Sequence, residues 1–510
     1  MIGSTLKDLG KQTAIYSFGD AFVKSLSFLL IPILVRVWDP NGPNMGIYGL
    51  LHLAEAVTYL IFNMGLTTAV IKVVSDYKQH RSRASAAFTA IGLLGTISLG
   101  MLVLWLAAAP GIADVLFGTD VDRAAGILFL RLTFIATYFS TYRFILFSLL
   151  RVERRSVLYV FLNIINFITY VSVAIYLVVF EEMGVLGIVY SNLTASVVML
   201  ALALALLQKR CHRPFSGKKA RDLLSFGLPL LPNGLALSAL ALLDRWFLLK
   251  LSPGDVGLAL AGQYDVAYRL GMIVSFLLIV PLRTAWVPVL FSVKDHPDAP
   301  RLYGRLITYV VAFGGIIALG LGILAPEIIS VITEPGWYAA ASPLPVIAFA
   351  YLAYGVSQVA DAGILARNRT SVYPLISLTS VVINVSLCIL LIPSHGMMGA
   401  AWATLVAYLW HMLMVGRVSY SIAPFILEWK RLAVLIVMGI AVWVGADLVP
   451  DWSLLARIAA KSVLLAFCPI LLLMFGFLSA DERDAIRKFR KMPSKSKDEE
   501  VLKKDEVNVA

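Results

Sequence analysis

The chain has 510 residues, of which 59% are hydrophobic and 15% charged, and its mean hydropathy is +0.84. Soluble domains are roughly 45–50% apolar and about 25% charged, so this composition excludes a soluble enzyme or binding domain. The formal net charge is +12, and the three cysteines lack the spacing of a metal knuckle or a disulfide scaffold.

The apolar residues fall into blocks of membrane-spanning length. A bilayer core of about 30 Å requires roughly 20 apolar residues in a helix. The blocks are continuously apolar rather than alternating, which favours helices over barrel strands. Fourteen helices are predicted, near 12–37, 46–71, 84–108, 123–150, 156–180, 184–208, 223–249, 262–291, 304–325, 337–365, 371–392, 396–421, 431–449 and 454–478.

Lysine and arginine are concentrated in every second loop between these helices. The loops on the opposite side hold Arg123, Lys250 and Arg457 as their basic residues. Because basic loops stay in the cytoplasm, this pattern predicts that both termini are cytoplasmic. The net positive charge is then explained by topology and by contact with anionic membrane lipids, and no nucleic-acid partner is expected.

The second half of the chain repeats features of the first half in the same order. The matched segments are Ser17-Phe-Gly19 with Ser225-Phe-Gly227, Gly46-x-Tyr48 with Gly262-x-Tyr264, 150–157 with 365–372, and Gly184-x-x-Gly187 with Gly396-x-x-Gly399. Paired segments fall on the same side of the membrane, so helices 1–6 and 7–12 are predicted to form two parallel lobes. The predicted domains are an N-terminal lobe at 1–211, a cytoplasmic linker at 212–222, a C-terminal lobe at 223–421, helices 13 and 14 at 422–478, and a charged cytoplasmic tail at 479–510.

The predicted fold class is an all-α polytopic membrane protein with about 14 transmembrane helices, arranged as two parallel six-helix lobes plus two C-terminal helices. Two parallel lobes around a midplane site are the architecture of an alternating-access transporter. The predicted outside loops are short, and no catalytic constellation is recognisable in the sequence. A membrane polymerase or ligase is therefore disfavoured, and we expect no enzyme activity, cofactor or metal site.

Charged residues inside apolar spans are costly and usually face a cavity. Four basic residues on predicted helices 1, 7 and 8 form a ladder of cations at several depths: Lys24, Arg245, Arg269 and Arg283. Such a ladder suits an anionic substrate, because guanidinium groups pair well with phosphate oxygens. Four acidic residues are candidates for coupling to H⁺ or Na⁺: Asp20, Glu55, Asp244 and Asp361.

The same charges also have a simpler interpretation. Asp20 and Lys24 are four residues apart, as are Asp265 and Arg269, so each pair fits an internal salt bridge on one helix face. The acidic candidates can likewise serve as counterions for neighbouring basic groups. For the carboxylates, the counterion role is favoured over ion coupling.

Several stretches resemble a known family. At the start of the predicted second lobe they are Ser225-Phe-Gly-Leu-Pro-Leu-Leu-Pro-Asn, Leu-Leu-Asp244-Arg245-Trp-Phe-Leu and Gly262-Gln-Tyr264-Asp-Val-Ala-Tyr268. The turn after helix 1, from Arg36 to Gly49, is a longer variant of the turn expected there. The chain resembles the Wzx-type polysaccharide flippases of the multidrug/oligosaccharidyl-lipid/polysaccharide superfamily, over helices 1–12.

The resemblance implies translocation of an undecaprenyl-pyrophosphate-linked oligosaccharide from the cytoplasmic to the outer leaflet of the bacterial inner membrane. The product would serve the synthesis of a surface glycan such as O-antigen, lipopolysaccharide or exopolysaccharide. The resemblance also implies a cationic cavity that binds pyrophosphate and sugars, and partners such as a polysaccharide polymerase and a chain-length regulator. Helices 13 and 14 are candidates for a lipid-tail groove, by analogy with lipid II flippases.

Two alternatives within the superfamily stay open, a lipid II flippase and a cation-coupled multidrug antiporter. An antiporter carries mostly cationic substrates and should have an acid-rich cavity. The predicted spans contain more basic than acidic residues, which argues against the antiporter. Charge alone does not separate the two flippases, although the stretches quoted above favour the polysaccharide branch.

Overall fold

The computed structural model describes residue 19, residues 30–77, 80–208, 215–252 and 256–474, and residue 477. Its α-helices in chain order are α1 (Leu30–Val37), α2 (Asn44–Asn63), α3 (Leu66–Asp76), α4 (His80–Leu116), α5 (Arg123–Val152), α6 (Ser156–Ile175), α7 (Gly184–Leu207), α8 (Gly217–Gly227), α9 (Leu231–Leu251), α10 (Gly257–Gly271), α11 (Val280–Val293), α12 (Ala299–Ile323), α13 (Ala325–Ile332), α14 (Leu344–Ala360), α15 (Ala362–Ala366), α16 (Tyr373–Ile422), α17 (Trp429–Asp447) and α18 (Leu454–Met474). Two segments are π-helical: Tyr176–Phe180 directly follows α6, and Ser275–Ile279 directly precedes α11. Short 3₁₀ turns occupy Leu228–Leu230, Pro335–Ala341 and Thr370–Val372. The described residues contain no strand, which confirms the all-α prediction.

Within the described residues, 11 stretches are long and apolar enough to cross a membrane. They coincide with predicted helices 2 to 13, because the stretch Thr370–Ile422 contains both predicted helices 11 and 12. Gly396 separates those two helices inside α16, with φ 51° and ψ −128°. Helix α18 corresponds to predicted helix 14, whereas most of predicted helix 1 lies outside the described residues.

The chain forms two compact units, Met1–Glu428 and Trp429–Ala510. The first unit contains α1 to α16, and the second contains α17 and α18, which pack against each other. The boundary lies close to the predicted end of the C-terminal lobe at 421. Helix α8 begins at Gly217, so the last part of the predicted linker 212–222 is helical. The division of the first unit into two lobes stays a prediction.

Helix α2 joins the two halves of the first unit. It packs against α9 and α10 of the second half and against α4, α5 and α7 of the first half. The approach to α10 depends on glycine: a Cβ atom on Gly46 would collide with the carbonyl oxygen of Leu258. On the other side of the contact, a Cβ atom on Gly262 would lie 2.9 Å from the backbone nitrogen of Gly46. Small residues at such crossings allow helix backbones to come close together.

The distribution of polar and apolar residues suits a lipid environment. Exposed positions on the helices include large apolar side chains such as Val157, Phe180 and Leu375. The interior instead contains charged residues, among them Asp244, Arg245, Asp265 and Asp361, all at most 2% exposed. Charged groups at such positions require partners, because lipid and packed protein offer no water to solvate them.

Candidate functional site

An ion-pair cluster of Asp244, Arg245 and Asp265 lies where α9 meets α10. Arg245 is 1% exposed, and its Nη1 donates hydrogen bonds to Asp244 Oδ1 at 2.7 Å and to the carbonyl oxygen of Ala241 at 2.5 Å. Its Nε donates to Asp265 Oδ1 at 3.1 Å. The guanidinium carbon also lies 3.9 Å from the centre of the Tyr268 ring. Arg245 is thus enclosed by its own partners.

The carboxylate of Asp244 is supported from two further helices. Tyr264 of α10 donates its hydroxyl hydrogen to Asp244 Oδ2 at 2.6 Å, and the Thr404 hydroxyl in α16 donates to the same oxygen at 3.3 Å. Burying an ion pair is expensive, and additional hydrogen bonds of this kind offset the cost. The arrangement fits the counterion role that the sequence favoured for Asp244.

Arg269 continues the cluster but has a different environment. Its Nε donates to Asp265 Oδ2 at 2.5 Å, so the four-residue spacing does produce a salt bridge. Its Nη1 donates to the Tyr48 hydroxyl at 3.3 Å, and its guanidinium lies 4.3 Å from the centre of the Tyr48 ring. The side chain is 19% exposed, and Nη2 has no hydrogen-bond partner among the described residues. Arg269 therefore has one carboxylate partner, whereas Arg245 has two, and a larger part of its side chain is exposed.

A central cavity of about 370 Å³ lies against this face of the cluster. Its walls come from α1, α2, α9, α10, the π-helical segment Ser275–Ile279 and α14. Polar side chains at the wall are His52, Ser238, Arg245, Asp265, Tyr268, Arg269 and Tyr351. The cavity thus has contributions from both halves of the first unit, as a transporter with a central site requires.

A second cavity of about 550 Å³ adjoins the central cavity, and Leu237 lines both. Arg283 lines this second cavity and is 39% exposed. Its Nη1 donates to Asp361 Oδ2 at 3.3 Å and also to Gln358 Oε1. The Tyr373 hydroxyl donates to the same Asp361 oxygen at 2.8 Å. Arg283 thus lines a different cavity from Arg245 and Arg269, and the ladder of cations at several depths stays a prediction.

The remaining predicted site residues lie elsewhere. Lys24 and Asp20 lie outside the described residues, so their roles stay predictions. Glu55 accepts a hydrogen bond from Asn192 Nδ2 at 3.2 Å in the first half of the unit and lines neither cavity. Within the part of the chain that the structure describes, no group of three or more His, Cys, Asp or Glu residues is placed to hold a metal ion.

Several residues at the cavities, or in contact with their lining, were not singled out from the sequence. Tyr48 belongs to the repeated Gly46-x-Tyr48 motif, so its position was marked but its contact with Arg269 was not foreseen. His52 is a polar residue within an apolar span. The histidines were considered only as metal ligands, so its position at the cavity was not predicted. Gln358 and His411 of the second cavity are likewise polar interruptions of apolar spans.

Residues 9–294, more than half of the chain, match the model of a family described as polysaccharide biosynthesis protein. The chain belongs to this family. The chain is 23% identical over 416 residues to the probable low-salt glycan biosynthesis flippase Agl15 of Haloferax volcanii. The aligned region covers 79% of this chain and 81% of the relative. Both findings confirm the resemblance drawn from the sequence.

Two solved structures have the same fold. The lipid II flippase MurJ in an inward closed conformation has a TM-score of 0.72 at 15% identity, covering 91% of this chain and 99% of MurJ. An inward-facing multidrug resistance MATE family transporter has a TM-score of 0.64 at 13% identity, covering 82% and 99%. These relatives are flippases and transporters, and their likeness confirms the predicted all-α membrane fold and shows that it is MATE-like.

Proposed function

We propose that the protein flips undecaprenyl-pyrophosphate-linked oligosaccharide from the cytoplasmic to the outer leaflet of a bacterial inner membrane, by alternating access, for a surface polysaccharide such as O-antigen or exopolysaccharide. The observation that carries the proposal is Arg269: it lines the central cavity, its side chain is 19% exposed, and its buried Nη2 group has no partner among the described residues. A pyrophosphate offers oxygens to which such a guanidinium donates short, charge-assisted hydrogen bonds. Membership in the polysaccharide biosynthesis family supports the class of cargo.

An anion is attracted by individual side chains at the wall of the central cavity, and not by the net charge of the whole protein. Arg245, Arg269 and Asp265 line the central cavity, which leaves one positive charge in excess at its wall. Asp244 lies behind the wall, and including its negative charge makes the whole ion-pair cluster with Arg269 neutral. The partly exposed guanidinium of Arg269, with its side chain held by Tyr48 and Asp265, is therefore the group that we assign to the pyrophosphate. Lys24 is proposed to act with it.

The other parts of the proposal concern coupling, orientation and partners. Asp20 or Glu55 would couple transport to H⁺ or Na⁺, while Asp244 and Asp361 serve as counterions of Arg245 and Arg283. Both termini would lie in the cytoplasm, in keeping with the distribution of basic loops. A polysaccharide polymerase and a chain-length regulator would receive the flipped product.

The proposal is tested by comparing three cargoes in proteoliposomes that contain the purified protein. The cargoes are a labelled undecaprenyl-pyrophosphate oligosaccharide, labelled lipid II and a cationic dye. We expect transfer of the oligosaccharide lipid between leaflets and no movement of the dye. Transfer of lipid II in preference to the oligosaccharide lipid would favour the lipid II flippase, and dye transport without lipid transfer would favour the multidrug antiporter.

A further inference from the structure

The second cavity differs in chemistry from the central one. Its volume of about 550 Å³ falls within the range of roughly 300–1,000 Å³ that small-molecule sites occupy. Its walls come from α9, the π-helical segment Ser275–Ile279, α11, α14 and α16. The side chain of Arg283 on its wall is 39% exposed, so a ligand in the cavity can contact it.

The wall of the second cavity is electrically neutral. Its charged lining residues are Arg283 and Asp361, which face each other at 3.3 Å and neutralise one another. A polyanion gains little there, because the guanidinium is already paired. A cation is disfavoured as well, since it would sit beside the positive charge of Arg283. The wall therefore suits an uncharged ligand.

The same wall is rich in hydrogen-bonding groups of both kinds. Asp361 is 2% exposed, and its Oδ1 is buried without a hydrogen-bond partner among the described residues. The amide oxygens of Asn233 and Gln358 already accept from Ser377 and Arg283, but each oxygen keeps a second lone pair and each NH₂ group keeps at least one hydrogen to donate. His411 bonds to Ser380 through Nδ1 and adds Nε2. A ligand with many hydroxyl groups satisfies such a wall, because every hydroxyl both donates and accepts. The Tyr354 ring adds an apolar face against which the C–H groups of a sugar ring can pack.

From these features we infer that the second cavity binds a sugar of the cargo, next to the pyrophosphate site in the central cavity. The inference rests on the proposed function and specifies where the glycan lies. Leu237 lines both cavities, so the two are neighbours, and the sugar and the pyrophosphate of one lipid-linked glycan can lie on either side of it. The π-helical segment also joins them: Ser275 lines the second cavity and Phe276 the central one. Such segments are frequent at functional sites.

The experiment measures binding of lipids to the full-length protein in nanodiscs. The probes are bare undecaprenyl pyrophosphate and three versions that carry one sugar: glucose, galactose or N-acetylglucosamine. Gln358→Met and Asn233→Leu remove polar groups from the second cavity, and either variant suffices if the other fails to fold. Gln263→Met is the matched control, because Gln263 lines neither cavity. Arg269→Gln tests the pyrophosphate site.

We expect the wild-type protein to bind at least one sugar-bearing lipid more tightly than the bare lipid. Each second-cavity variant should weaken binding of that lipid roughly three- to tenfold, the effect of one lost hydrogen bond, and leave bare-lipid binding unchanged. Gln263→Met should change neither affinity, and Arg269→Gln should weaken both to a similar degree.

Three results would overturn the inference. They are a wild-type protein that gains no affinity from any sugar, second-cavity variants that bind sugar-bearing lipid normally, and variants that weaken both lipids alike. If the wild-type protein binds none of the four lipids, the proposed function itself fails.

Discussion

Arg245 and Arg269 both bond to the carboxylate of Asp265, but their surroundings differ. Arg245 is 1% exposed, and two carboxylates, a backbone carbonyl and the Tyr268 ring enclose its guanidinium. Arg269 is 19% exposed and has an Nη2 group without a partner in the described part of the chain. A cation in a membrane protein is thus not a binding group by virtue of its charge; what matters is how far internal carboxylates neutralise it and how much of its side chain stays exposed.

The strongest test of the difference is Arg245→Gln. Removing this guanidinium leaves Asp244 buried without its cation, and breaking a buried ion pair in this way costs about 3–5 kcal/mol. We expect a large fall in the thermal unfolding temperature of the purified protein. Arg123→Gln is the control, because Arg123 forms an exposed pair with Asp114, and it should leave that temperature unchanged. Equal stability of both variants would contradict a structural role for Arg245.

A second test concerns the packing of α2 over the ion-pair cluster. A Cβ atom on Gly49 would lie 3.4 Å from the carboxyl carbon of Asp265, so α2 runs close to the cluster. Gly46→Ala would force α2 away from Leu258 of α10, and overpacking of this kind costs about 1–3 kcal/mol. The expected result is a lower unfolding temperature. Gly100→Ala is the control, because a Cβ atom there meets nothing within 4 Å and should not destabilise the protein.

A smaller effect is expected at Tyr48, which contacts Arg269 through both its hydroxyl and its ring. Tyr48→Phe removes the hydrogen bond of 3.3 Å but keeps the ring, whereas Tyr48→Leu removes both contacts. We expect a severalfold loss of affinity for undecaprenyl pyrophosphate in Tyr48→Phe, corresponding to about 1 kcal/mol, and a larger loss in Tyr48→Leu. Equal affinities for the two variants would show that the ring does not hold Arg269 in place.

The helices were predictable from the sequence because lipid imposes long, continuously apolar spans. The predicted start of helix 12 at 396 coincides with the glycine break inside α16, and the predicted start of helix 4 at 123 coincides with that of α5. The salt bridge between Asp265 and Arg269 was also accessible, because residues four apart share a helix face. Helix α8 was harder to predict, since its charged first turns resemble a linker.

The sequence alone could not predict which acidic residue each buried arginine contacts. Arg283 pairs with Asp361, 78 residues away, and only the packing of α11 against α14 and α15 decides that contact. Neighbours in sequence normally point to different sides of a helix, yet the long side chain of Arg245 folds back onto Asp244. A charge pattern therefore predicts that a cavity is polar, but the tertiary contacts decide which charges face it.

The central claim is that Arg269 binds the pyrophosphate of the cargo, and leaflet transfer of an undecaprenyl-pyrophosphate oligosaccharide measures it most directly. The comparison is between wild-type protein, Arg269→Gln and the exposed control Arg123→Gln, each reconstituted at equal amounts of folded protein. Loss of one charge-assisted hydrogen bond corresponds to about 1.5–3 kcal/mol, so Arg269→Gln should slow transfer by roughly ten- to a hundredfold while Arg123→Gln matches the wild type. Wild-type transfer by Arg269→Gln would contradict the assignment.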